Sequence, residues 1–199
     1  MRYAAPALRA GALLLLPVGA HAHAVDVGFG PVLDGVLHLF LSFDDLLPVV
    51  AMALLAGLNG PVAGTRAQYA LPLAWLAGGI AGYVSRWVPL PAGITSLSLL
   101  ALGILTAADR RLSPLVIMLI AAALGLLHGW LNGAAIAAAG RKLTGLAGIV
   151  GAVYVLMLLF AAPVARLEVP WARIALRVAG SWIAAIGLLY LGWILSGRS

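Results

Sequence analysis

The run SPLVIMLIAAALGLLHGWLNGAAIAA, residues 113–138, carries no acidic or basic side chain and a single ionisable one, His128. A helix needs about 20 predominantly apolar residues to cross the hydrocarbon core of a bilayer, and this stretch supplies them. Gly125, Gly129 and Gly133 recur every four residues along it, a small-residue ridge that lets another helix approach closely and presses its neighbours against that partner. The stretch reads as a transmembrane helix with a packing face.

The rest of the chain agrees. Of 199 residues, 64% are hydrophobic and 9% charged, and the mean hydropathy is +1.10. Soluble proteins are about half apolar and about a quarter charged, so this surface belongs in lipid. Further candidate spans lie at about 35–58, 68–85, 91–107, 145–165 and 173–196. They are separated by breaks holding Arg66, Arg86 with Pro89 and Pro91, Asp109 to Arg111, Arg141 with Lys142, and Arg166 to Arg173. The expected fold is all-α, a polytopic transmembrane bundle of about six helices after signal peptide removal.

Residues 1–20 read as that signal peptide, with Arg2 and Arg9 as the positive start, an apolar stretch from Ala10 to Leu16, and Val18-Gly19-Ala20 as the cleavage site; an uncleaved extra helix is the alternative. Residues 21–34 follow as a short periplasmic segment, and 35–199 as the membrane domain. Cleavage leaves the new N-terminus outside, which puts Arg66, Arg110, Arg111, Arg166 and Arg173 inside, against Arg86, Arg141, Lys142 and Arg198 outside. That bias has the expected sign. With no β-barrel alternation, the expected location is the bacterial inner membrane.

The net charge of +6 comes from basic residues set singly or in pairs between apolar runs. They act as topology determinants, not as a phosphate-binding stripe, so nucleic acid is excluded as a partner. The absence of cysteine excludes disulfides, thiolate metal sites and a Cys nucleophile.

Ionisable groups inside a membrane are costly and each raises a functional question. The first span holds Asp34, His38, Asp44 and Asp45, and the fourth holds His128 with Asn132 one turn later. At 1.5 Å per residue, Asp44 and His128 both fall roughly 14–15 Å below the same outer face. Two helices therefore place their polar residues at one depth, as a shared site requires. His38, Ser42 and Asp45 lie on one helix face at spacings of four and three, and Asp44 is turned about 100° from Asp45. Pro48 frees the carbonyl of Asp44 as a further ligand or as a kink. Imidazole, carboxylate and amide oxygen together suit a borderline divalent metal such as nickel, cobalt or zinc. The plain alternative is a structural network that locks helices together. Thr95, Ser96 and Ser98 near the outer face of the third span are candidate lining residues with Ser42. At the mature N-terminus, His21 or His23 could capture a metal ion through its ring and the free amine.

Gly35-Val36-Leu37-His38 followed by Ser42-Phe43-Asp44-Asp45-Leu46-Leu47 resembles the first-helix signature of the HupE/UreJ family, His-Pro-x-x-Gly-x-Asp-His. His38 and Asp44 match; Leu39, Ser42 and Asp45 replace Pro, Gly and the second His. Leu127-His128-Gly129-Trp130-Leu131-Asn132-Gly133 resembles the later His-Gly-x-x-His-Gly segment, with Asn132 in place of a His. The resemblance implies a secondary permease for nickel or cobalt serving hydrogenase or urease maturation. Two ring nitrogens are lost and one carboxylate gained, which moves the site toward harder ions or weaker nickel binding. The expected function is a metal permease, not an enzyme, with no tightly bound cofactor; its partners are the transported divalent ion, the lipid bilayer and, by allowance, further copies of itself as a homo-oligomer. The alternatives are an accessory membrane subunit and an intramembrane zinc hydrolase.

Overall fold

The computed structural model of the chain describes residues 30–86 and 93–197. The signal peptide, His21, His23 and Arg198 lie outside the described residues. Within them the chain forms seven α-helices and no strand: α1 (Pro31–Leu41), α2 (Phe43–Leu58), α3 (Pro61–Ser85), α4 (Ile94–Ala108), α5 (Pro114–Ala138), α6 (Thr144–Val164) and α7 (Pro170–Leu195). Helices α5, α6 and α7 are long and apolar enough to cross a membrane, and α1 with α2 makes a fourth if the pair is one broken span. The 25 residues of α3 give it the length, but it is the least apolar of the seven. The 15 residues of α4 reach only about 22 Å, short of the roughly 30 Å hydrocarbon core.

Four helices begin on a proline: α1, α3, α5 and α7. Proline suits the first turn because its φ is already helical and its missing N–H would find no partner there. Pro61 explains why α3 starts well before the expected Gln68, after Gly60 at φ 96°. Arg66 therefore sits on a helix and not in a break. Pro170 likewise draws Arg173 into the first turn of α7.

The expected first span is not one helix. It breaks at Ser42, and α1 and α2 meet at 76°. Ser42 is extended, with ψ 93°. Its N–H donates to the His38 carbonyl at 2.9 Å, and its own carbonyl accepts from Asp45 N at 3.0 Å and Leu46 N at 2.9 Å. The joint thus keeps its backbone groups paired, which a break at membrane depth demands. Pro48 lies buried inside α2, and the bend falls ahead of it.

Close backbone approach organises the packing. A Cβ on Gly125, Gly129 or Gly133 of α5 would collide with the carbonyl oxygen of Leu71, Trp75 or Gly79 of α3, in that order, and one on Gly78 or Gly82 of α3 would meet the carbonyl of Leu126 or Trp130. The two ridges are reciprocal, and α3–α5 is the most extensive helix contact in the bundle. Gly103 of α4 and Gly180 and Gly187 of α7 fit against one another's helices in the same way, as do Gly35 of α1 and Gly148 of α6. Helix α2 runs through the middle, touching α3 to α7 and buried continuously from Ala51 to Leu58. A helix apolar all round is a core helix.

One end of the bundle is tied by polar bonds. Arg173 donates from Nε and Nη2 to the two carboxylate oxygens of Asp109, both at 2.6 Å, and Nη2 also reaches the Leu58 carbonyl at 3.4 Å. Asn59 Oδ1 accepts from Leu112 N at 2.7 Å. These bonds join the C-terminus of α2 to α4, α5 and α7.

Candidate functional site

The break at Ser42 brings His38, in the last turn of α1, beside Asp45 in the first turn of α2, and Asp45 meets α5. There Asp45, 5% exposed, meets His128, fully buried, and Asn132, 5% exposed. His128 Nδ1 lies 2.8 Å from Asp45 Oδ1. A carboxylate can only accept, so that nitrogen carries the proton and donates. Asn132 Nδ2 donates to Asp45 Oδ2 and to the His128 carbonyl, each at 2.9 Å. His38 Nε2 stands 3.7 Å from Asp45 Oδ2, and its Nδ1 is 3.4 Å from Ser42 Oγ. Both distances are too long for strong bonds, which leaves the His38 ring free to turn.

The far nitrogen of His128 is engaged too. Ser98 Oγ of α4 lies 3.0 Å from His128 Nε2 and 2.7 Å from the Thr95 carbonyl. A serine has one proton to give, so the hydroxyl either donates to the carbonyl and accepts from Nε2–H, or donates to a bare Nε2. Trp75 of α3 packs on the same imidazole, ring centroids 5.4 Å apart and planes tilted by 31°. His128 is therefore gripped by α2, α3 and α4 while its own helix holds it against α3 through the glycine ridge.

A cavity of about 560 Å³ opens toward the α5–α6 connection and ends at this cluster. Asp34, Arg141 and Lys142 line it with His38 and Asn132. Asp45 and His128 are not among its lining residues, so His38 and Asn132 separate them from the space. Two buried side-chain atoms of the described residues have no hydrogen-bond partner, Trp75 Nε1 and Asn132 Oδ1.

Of the residues expected to share a site, His38, Ser42, Asp45, His128, Asn132 and Ser98 form one connected cluster. Asp44 is exposed and stands outside its hydrogen bonds. Ser96 is buried and Thr95 half-buried on α4, Thr95 contributing its carbonyl. Among the described residues no group of three or more His, Asp or Glu side chains is disposed to hold a metal ion. Sequence reasoning missed Trp75; its place is set by the α3–α5 register, which nothing local in the chain announces. It also missed that Asp34 lines the cavity one turn from His38.

Apolar spans packed on glycine ridges around a buried polar cluster define an integral membrane protein with a polar centre inside its helical bundle. The family model described as HupE / UreJ protein matches residues 11–190, and the chain belongs to that family, whose members are transporter-like membrane proteins associated with nickel and cobalt transport or metalloenzyme maturation. No curated protein matches the chain, and no solved structure does.

Proposed function

We propose that the protein is a secondary permease for a divalent transition-metal ion, nickel or cobalt, in the bacterial inner membrane with its mature N-terminus outside. The observation that carries this reading is the dead end of the cavity. A water-sized path leads from one end of the bundle to His38 and Asn132, with a buried carboxylate directly behind them. Buried charge inside a membrane protein marks an ion path more often than a scaffold.

In this reading His21 or His23 collects the ion outside. Asp34 draws it to the cavity, and Asp44 adds negative potential near the joint. His38 swings on its weak bonds to offer Nε2, and Asp45 supplies the carboxylate. Asn132 holds that carboxylate in place, and His128 fixes it from the other side. Ser42, Thr95, Ser96 and Ser98 form the polar wall. Binding stays weak enough for release because the donors are not arranged around a ready-made vacancy.

Radioactive nickel and cobalt uptake in cells lacking their own transporters tests this. Wild type should accumulate the ion, and His38→Ala, matched for membrane expression, should not; equal uptake by the mutant removes this site from the path. The completeness of the Asp45–His128–Ser98 bonding favours a second reading, in which the cluster only locks α2, α4 and α5 together in an accessory subunit. Under that reading neutral replacements at Asp45 and His128 change stability and nothing else.

A further inference from the structure

The cavity is much larger than a hydrated ion. A divalent ion with its shell of about six waters fills about 180 Å³, at about 30 Å³ per water. The space measures about 560 Å³, inside the range of about 300–1,000 Å³ typical of sites for small organic molecules.

Its walls also differ in charge. Asp34 and His38 of α1 line one side, and Arg141 and Lys142 of the α5–α6 connection line another. For a bare cation the second wall is repulsive. In the orientation proposed above, that basic pair lies outside, the side on which Lys and Arg are in deficit beside membrane spans. Topology therefore gives no reason for it there.

The basic wall is held in shape by its backbone. Helix α5 ends ahead of Gly140, which takes the left-handed conformation at φ 64°. Gly140 N donates to the Ala137 carbonyl and Arg141 N to the Ile136 carbonyl, each at 3.0 Å, the paired bonds of a Schellman cap. Tyr83 Oη of α3 donates to the Arg141 carbonyl at 3.2 Å, and the Lys142 carbonyl accepts from Gly145 N at 3.1 Å. The connection is a fixed turn that sets an exposed lysine at the cavity.

Resting on the permease reading, we propose that the cavity receives the ion as an anionic complex with a small polycarboxylate, whose carboxylate docks on Lys142 and Arg141. Such a complex has two poles. Its carboxylate oxygens meet the basic wall in charge-assisted hydrogen bonds, and its metal pole meets the wall that carries the imidazole and the acid. The volume fits the complex, and the wall that repels a bare ion becomes the part that selects.

The test uses the purified full-length protein in liposomes. Radioactive nickel, and then cobalt, is supplied outside at one total concentration as the salt alone, with citrate, or with ethylenediamine. Citrate leaves the complex anionic, and ethylenediamine, an uncharged diamine, leaves it cationic. Both lower the free ion, so a carrier of free ions slows in each. A cleft of one charge raises capture of the opposite charge by about ten-fold or more. Wild type is expected to take up the citrate complex about ten-fold faster than the ethylenediamine complex, and faster than the salt alone. Lys142→Glu should lose that preference and Lys142→Arg should keep it; Lys142→Gln decides if the charge-reversed chain fails to accumulate. Salt alone or the ethylenediamine complex taken up as fast as the citrate complex, or a citrate preference that survives removal of the Lys142 charge, overturns this inference and leaves the permease standing. No uptake of either metal in any form overturns both.

Discussion

Replacing Asp45 with leucine, a larger side chain, removes the acceptor on which two buried donors end. His128 Nδ1–H and one Asn132 N–H, at 2.8 and 2.9 Å from the carboxylate, then have nothing to bond. His128 can move its proton to Nε2 and donate to Ser98 Oγ, but a bare Nδ1 remains buried; the Asn132 amide keeps only its bond to the His128 carbonyl. Each orphaned group costs about 1–3 kcal/mol, so the variant should lose about 2–6 kcal/mol in all. At about 2–4 °C per kcal/mol for a domain of this size, its melting temperature should fall by about 4–24 °C. Asparagine at the same position gives a different result. Its oxygen accepts from Asn132, its nitrogen donates to His128 Nδ1, and His128 as the other tautomer donates from Nε2 to Ser98, whose proton goes to the Thr95 carbonyl. Each group that bonded Asp45 keeps a partner, and the loss should stay under about 1 kcal/mol, while the charge that draws a cation is gone. Tryptophan-fluorescence melts of the two purified variants, beside metal uptake, make the comparison. Equal melting temperatures for the leucine and asparagine variants would refute the hydrogen-bond assignment, and full uptake by Asp45→Asn would refute the carboxylate's role in transport.

The His38→Ala variant proposed for the uptake assay should lose transport yet melt within about 2–4 °C of wild type, since the bonds it gives up are long. Gly133→Ala drives a methyl group into the Gly79 carbonyl and should cost about 1–3 kcal/mol in melts; Gly151→Ala meets nothing within contact range and should be neutral or stabilise by up to about 1 kcal/mol. Asp109→Asn keeps the left-handed backbone, φ 49°, that asparagine tolerates, but breaks the two-point bond to a partly exposed Arg173; a loss of about 1 kcal/mol is expected, partly recovered in the Asp109→Arg, Arg173→Asp double variant.

The apolar runs made the helical class legible, because in lipid few other backbones are allowed. The meeting of Asp45 with His128 was legible too, through depth alone: two segments with polar residues equally far below one face have little choice but to pair them. The 100° between Asp44 and Asp45 left room for the two to point apart, and only Asp45 is turned inward. What stayed hidden were features set by tertiary contact. The break at Ser42 has no proline or glycine to mark it; a hydrogen bond on each side makes it affordable, and those bonds exist only once α1 and α2 have diverged. Pro170 was visible in a break but is a start, and so is Pro61 ahead of the expected Gln68, since a proline opens a helix as readily as it ends one. Trp75 reaches His128 only through the register of α3 on α5.

Because glycines let α3 touch α5, and α4 touch α7, backbone to backbone, neither pair has side chains at those contacts that could slide or repack. Kinematically each pair is a plate, and α2 is the rod between the plates. The seam between the two plates runs past α2, while the cavity lies to one side of it, against α1, α5 and α6. Apart from contacts made through the rod, the bond drawn across that seam is the one between Ser98 and His128. Its 3.0 Å is thus a gauge of the whole molecule's posture, and an infrared or NMR signal from the His128 ring would read the position of helices far larger than itself.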